Sequence, residues 1–157
     1  MPYIRIWVHL IWATKDRVPV ISNDWKHEFY AHIRENAKKK EIYLDFINGY
    51  TEHVHALISL NADQAITKVA QLIKGESSHW VNQQNLIKHQ FAWQEEYIAV
   101  SVSESLVNKV RTYIKNQEEH HRLKTFAEEY QLFIEKYGFH RDGSEEGVKT
   151  PKNWEGS

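Results

Sequence analysis

From Tyr3 to Thr14 the side chains alternate, with Ile4, Ile6, Val8 and Leu10 on one side and Tyr3, Arg5, Trp7 and His9 on the other. That period of two predicts a strand. Lys15-Asp16-Arg17 and Val18-Pro19 form a polar connection, after which Ser22, Asn23 or Asp24 can cap a helix. Phe29, Ile33 and Ala37 are its buried stripe, and Lys38-Lys39-Lys40 close it at the end where the helix dipole favours cations. Ile42 to Asn48 alternates again, Gly49-Tyr50-Thr51 makes a tight connection, and His53 to Leu60 completes a hairpin. Asn61 or Asp63 can cap a long helix with the stripe Ile66, Val69, Ala70, Ile73, Ser77, Trp80 and Val81. Gln83 to Gln94 reads as a polar connector and Tyr97 to Val102 as a fourth strand, with Ile98, Val100 and Val102 on one face. Ser103 caps a third helix from Glu104, carrying Leu106, Val107, Val110 and Ile114, that either continues through or breaks near His120-His121. Phe126, Tyr130, Phe133 and Tyr137 mark a last amphipathic helix.

The core order β-α-β-β-α-β predicts an α+β fold, a ferredoxin-like antiparallel sheet with additional C-terminal helices. Its first and third strands are then central neighbours, and both core helices cover one face. Assigning the aliphatic sets Ile4/Ile6/Val8, Val54/Ala56/Ile58 and Ile98/Val100/Val102 to the helix layer leaves Arg5, Trp7, His9, His53 and His55 on the other face. A central face bearing histidines needs a cover or a ligand. Residues 1–137 are expected to form one domain and 138–157, rich in polar residues with Gly, Pro and Ser, a flexible tail.

Composition narrows the chemistry. A length of 157 residues with 41% hydrophobic content suits one domain with its own core. No apolar run approaches membrane-spanning length and the first residues have no signal-peptide core, so a soluble cytoplasmic protein is expected. Without cysteine there are no disulfides, thiolate zinc sites or cysteine nucleophiles. The near balance of 20 Lys+Arg against 21 Asp+Glu announces no nucleic-acid binder, so any such surface must be local.

His53 and His55 flank Val54 on a strand, so both imidazoles leave the same face of the pleat. With ten histidines in the chain, such a pair also arises readily by chance, and taken alone it is better explained as two polar residues on a wet sheet face. Tyr113 and Gln117 supply a possible second half: at i and i+4 they stand about one turn apart on a helix face, with His121 one turn further if the helix continues. Should that helix cross the open face, a phenol, an amide and two imidazoles would meet. By spacing alone, Tyr113 also suits packing on the sheet and Gln117 a surface amide.

His53-Val54-His55, the run from Tyr113 to His121, and the flanking Trp12-Ala13-Thr14-Lys15, Lys74-Gly75-Glu76-Ser77-Ser78 and Ser101-Val102-Ser103 together resemble the HUH single-tyrosine transposases. These are the small bacterial insertion-sequence transposases and the REP-associated tyrosine transposases. The resemblance covers Met1 to Tyr137. It implies a metal-dependent single-stranded DNA transposase that cleaves and rejoins strands at hairpin-bearing ends through a 5′-phosphotyrosine, with no nucleotide cofactor. Tyr113 would be the nucleophile; His53, His55 and Gln117 would hold Mg²⁺ or Mn²⁺, with His120 or His121 as other candidates for the third position. A free phenol, with a pKa of about 10, needs help to become nucleophilic at neutral pH. The resemblance further implies a homodimer, and the sequence is compatible with Tyr113 acting on its own chain's histidines or on a partner's. Lys15, Arg17, Lys74, Lys109, Arg111 and Lys115 are candidate phosphate contacts, and Trp12, Trp80 and Trp93 could stack on unpaired bases. Two other readings stand beside this one: a noncatalytic single-stranded nucleic-acid module, for which the aromatic signature on the third strand is missing, and a water-using metal phosphodiesterase, for which a second His-x-Ser/Thr motif is missing.

Overall fold

In the computed structural model, which describes residues 2–137, four strands make one antiparallel sheet. They are β1 (Ile6–Thr14), β2 (Tyr43–Gly49), β3 (His53–Leu60) and β4 (Trp93–Val102), in the spatial order β2-β3-β1-β4. The two central strands are therefore the first and third, as the ferredoxin-like order requires. Helices α1 (Lys26–Lys39) and α2 (Ile66–Gln83) cover one face. Val107–Lys115 forms α3, Gln117–Leu123 forms α4 and Phe126–Tyr137 forms α5. No described helix is long and apolar enough to cross a membrane.

The helix-side core gathers Leu10, Trp12, Val54, Ala56 and Ile58 from the sheet with Phe29, Tyr30, Ile33 and Ala37 of α1 and Val69, Ala70, Ile73 and Val81 of α2. Phe29 is its centre, lying against Trp80 (5.9 Å) and Trp93 (5.9 Å) with near-parallel rings. Trp12, Trp80 and Trp93 thus belong to the packing of this core, where Trp12 is fully buried and donor-bearing Trp93 binds Ser77 Oγ at 2.9 Å. A second, smaller cluster lies on the opposite face: Trp7, Leu57, Val107 and Ile114, with Phe46, Val102, Val110 and Tyr113 packed against it. It seats α3 on the sheet.

Three details depart from the sequence pattern. Fourth-strand pairing begins at Trp93, inside the stretch expected to be a connector, because Trp93 pairs with Thr14 across an irregularity whose extra residues lie in β4. Ile98, Val100 and Val102 pair with Ile11, His9 and Trp7, so they share the histidine face, while Tyr97 and Ala99 pack toward the helices. Alternation fixes which residues share a side and leaves open which side that is. Finally, the third helix breaks at Asn116 (φ −94°, ψ 24°) instead of near His120-His121.

The chain divides into two compact units, with the boundary after Glu118. Within the second, Thr125 and Glu128 form the capping pair of α5, Glu128 N–H donating to Thr125 Oγ1 at 3.2 Å. His120 and His121 place Nε2 3.1 and 3.2 Å from Glu129 Oε2. The expected tail, 138–157, lies outside the described residues.

Candidate active site

The site is built on the sheet face opposite α1 and α2. Across the strands, Asn48 pairs with His55, His55 with Ile11, and Ile11 with Ile98, while Ala13 pairs with His53 and His9 with Leu57. Directly paired residues project from the same side. Asn48, His53, His55 and His9 therefore rise from one patch. His53 and His55 are fully buried, and their rings stand 5.0 Å apart in an edge arrangement.

Tyr113, on α3, is brought to this patch by the apolar side of its helix. Val107 and Ile114 are buried beside Trp7 and Leu57, which fixes the helix face directed at the sheet. The phenol ring lies edge-on to His55 at 5.7 Å and to His9 at 6.1 Å between ring centres. Gln117 is fully buried as well, with Oε1 3.0 Å from His53 Nε2 and Nε2 donating to the Tyr113 carbonyl at 3.3 Å. Thus Tyr113, Gln117, His53 and His55 meet within one chain, even though Asn116 interrupts the helix between the first two.

Each imidazole of the pair is gripped through Nδ1. His53 Nδ1 lies 2.7 Å from Glu52 Oε1, and the other oxygen of that carboxylate accepts from Thr51 Oγ1 at 3.0 Å. His55 Nδ1 lies 2.8 Å from His9 Nε2. A carboxylate accepts, so Nδ1 of His53 carries a proton, and Nε2 of the same ring faces Gln117 Oε1. The amide nitrogen is turned the other way, donating to the Tyr113 carbonyl. Nε2 and Oε1 at 3.0 Å call for a proton or a cation between them. Octahedral ligands with bonds of about 2.1 Å stand about 3.0 Å apart along an edge, so the donor set and its spacing fit a small divalent ion. The carboxylate behind His53 is the usual second support of a metal-binding imidazole.

The expected phosphate contacts are placed variously. Lys15 and Arg17 are exposed in a short turn after β1 where Asp16 and Arg17 have positive φ, 57° and 55°. Lys109 and Lys115 are exposed on α3. Lys74 is half-buried between α2 and β4, donating to the carbonyls of Gln94 (2.7 Å) and Glu95 (2.9 Å), and desolvation holds its pKa below the ordinary lysine value. Arg111 forms a two-pronged pair with Asp45. Sequence reasoning did not single out Glu52, Asn48 or Asp45, and it placed His9 on the right face without a task. Glu52 carried a signal in its position immediately before His53, at the mouth of a hairpin where a side chain can fold back on its neighbour.

Comparison with known proteins follows the same line. Residues 3–117 match the family model described as IS200-like transposase, a span that ends on Gln117. The ISDra2 transposase TnpA of Deinococcus radiodurans is 26% identical over 114 residues, 69% of this chain and 81% of that protein. Two solved structures share the fold. A crystal structure described as a transposase of D. radiodurans superposes with a TM-score of 0.60 at 24% identity, covering 74% of this chain and 93% of that one. The structure of a REP-associated tyrosine transposase bound to a REP hairpin has a TM-score of 0.59 at 13% identity, covering 95% and 94%. With nearly three-quarters of its length matching the family model, the chain belongs to the IS200-like transposase family.

Proposed function

We propose that this transposase-family protein cleaves and rejoins single-stranded DNA through a covalent link to Tyr113. The observation that carries the reading is the seating of Tyr113 edge-on to His55 and His9, one residue cluster away from the His53–Gln117 contact. A phenol placed beside one candidate metal-ligating imidazole, His55, and beside the His9 ring that orients it suits nucleophilic attack on a phosphodiester. In that step the Tyr113 phenolic oxygen bonds to phosphorus, the bond to the 3′ oxygen breaks, the phenolic proton passes to base or solvent, and the departing 3′ oxygen gains a proton. The product is a 5′-phosphotyrosine and a free 3′-hydroxyl. Since the phosphodiester is exchanged for another phosphoester, a 3′-hydroxyl can reverse the step without a nucleotide cofactor.

His53, His55 and Gln117 would hold Mg²⁺ or Mn²⁺, which when bound supplies Lewis-acid stabilisation of charge on the phosphate. The chain's own contribution is orientation: Glu52 and His9 set the two rings, Gln117 ties its amide to the Tyr113 carbonyl, and the apolar cluster under α3 keeps the phenol against the sheet. Lys15, Arg17, Lys109 and Lys115 offer exposed cations for the DNA backbone. The substrate would be a single strand bearing a hairpin, and the working form a homodimer. A base-stacking module is less well supported, because α3 covers the sheet face such a module would leave open.

The test is incubation with a hairpin-bearing single strand, with Mn²⁺ or with chelator. The reading expects metal-dependent cleavage that leaves a 3′-hydroxyl fragment and protein attached to the 5′ end. Cleavage that releases two free ends would favour water as the nucleophile and overturn it.

A further inference from the structure

Strand β2 carries two residues that the chemistry above does not use, and both grip the tyrosine helix. Tyr43 pairs with Ser59 and Leu44 with Ile58, but the next pairing joins Phe46, not Asp45, to Leu57. Asp45 is therefore the extra residue of a β-bulge, a device that re-aims side chains. Leu44 and Ile47 pack in the helix-side core while Phe46 packs with the α3 cluster. The bulge thereby places Asp45 and Phe46 together on the site side. The Asp45 carboxylate accepts from Arg111 Nε at 2.7 Å and from its terminal nitrogen at 2.8 Å. This two-pronged geometry fixes orientation as well as distance. Asp45 is 11% exposed at its side chain, so the pair is sheltered on the carboxylate side. Arg111 also donates to Asn108 Oδ1 at 2.8 Å and lies over the Trp7 ring at 5.8 Å.

Further along β2, Asn48 Nδ2 donates to the carbonyls of Ile114 (3.0 Å) and Lys115 (3.1 Å). The last carbonyls of a helix have no partner within it. Asn48 satisfies two of them just before the break at Asn116, and it is itself paired across the strands with His55. One anchor therefore holds the helix two residues before Tyr113, and the other ends it immediately after, beside the imidazole that Tyr113 faces.

We propose that Asp45 and Asn48 form a latch that positions the Tyr113 helix over the histidine pair of its own chain. Asp45 sets the rotation of the helix through Arg111, and Asn48 sets where the helix stops, so Tyr113 and Gln117 reach the same patch across the Asn116 break. The Arg111 guanidinium then serves to hold the helix and not to contact DNA. Both β2 side chains are positioning residues. This inference rests on the reading of Tyr113 as the nucleophile.

The experiment compares Asp45→Ala, Arg111→Ala, their double variant and Asn48→Ala, with Asp45→Asn as a milder substitution should any alanine variant fail to fold. Four quantities are measured: the single-turnover rate of adduct formation at saturating hairpin DNA, DNA affinity, Mn²⁺ affinity, and amide hydrogen exchange along α3. A misplaced reacting group costs on the order of ten- to a hundredfold in rate, and that is the loss expected for each single variant. The double variant should be no slower than Arg111→Ala, with DNA and Mn²⁺ affinities unchanged and exchange faster in α3 but not in β3. Independent, multiplying losses, or weaker DNA binding in Arg111→Ala alone, would assign Arg111 to DNA and overturn the latch. Unchanged α3 exchange in Asp45→Ala and Asn48→Ala would overturn it whatever the nucleophile is. Faster exchange in a protein whose wild type forms no adduct would instead leave the latch standing and remove Tyr113 from the chemistry. Mixing Tyr113→Phe with His55→Ala should give no adduct; an adduct from the mixture would show the helix serving a second copy and refute the placement in cis.

Discussion

Replacing Glu52 with alanine tests whether the histidine pair is built to bind metal. The carboxylate stands 2.7 Å from His53 Nδ1 and is steadied by Thr51, and the imidazole it supports is fully buried. A hydrogen bond to a charged group contributes about 1.5–3 kcal/mol, and at about 1.4 kcal/mol per decade its loss weakens Mn²⁺ binding roughly 10- to 100-fold. Glu52→Gln keeps an acceptor but not the charge, which leaves a neutral hydrogen bond of about 1 kcal/mol and a loss near the lower end of that range. Titration of each variant with Mn²⁺, reading free ion by electron paramagnetic resonance, gives the dissociation constants without reference to activity. His53→Ala marks the floor. If Glu52→Ala folds and binds Mn²⁺ as tightly as the wild type, the carboxylate is not supporting a ligand and the assignment of His53 to the metal loses its structural basis.

Other expectations concern stability and pH. A Cβ on Gly49 would lie 2.2 Å from the His53 carbonyl oxygen and 3.0 Å from Tyr30 Oη, so Gly49→Ala must displace the β2–β3 hairpin; a loss of more than about 2 kcal/mol in denaturant unfolding is expected, and a neutral result would contradict the tight approach. Phe29→Ala empties the centre of the helix-side core, where the ring is fully buried, and should cost about 3–5 kcal/mol by the same assay. The Lys26 ammonium hydrogen-bonded to Glu118 holds that carboxyl below its ordinary value of 4.5. A depressed carboxyl stabilises the fold above pH 4.5, and the benefit disappears as pH falls through the lowered value. Because Glu118 is largely exposed the effect is small, and Lys26→Ala should flatten the acid limb of the unfolding midpoint against pH.

The strand order was legible because four alternating runs and two helical stripes leave few ways to cover one sheet, and β2-β3-β1-β4 is the order that resulted. The histidine face was legible for the same reason. The side taken by β4 was not: Ile98, Val100 and Val102 look like a core stripe, and only pairing with Ile11, His9 and Trp7 puts them on the histidine face, where Val102 packs against the small cluster under α3. The break at Asn116 was also hidden, since Tyr113 and Gln117 keep helical spacing while Asn48, remote in sequence, satisfies the carbonyls that the break exposes. Asp45 was invisible as a partner of Arg111, because a bulge reverses the side on which a residue falls and leaves no period behind it.

The atom that bonds to DNA is the centre of the proposed chemistry. Wild-type protein incubated with Mn²⁺ and a hairpin-bearing single strand, then denatured and digested, should yield a peptide with a nucleotide phosphate on Tyr113 by tandem mass spectrometry. Tyr113→Phe should bind the same strand and yield no such peptide. An adduct at another residue, or an adduct that persists in Tyr113→Phe, would contradict the account.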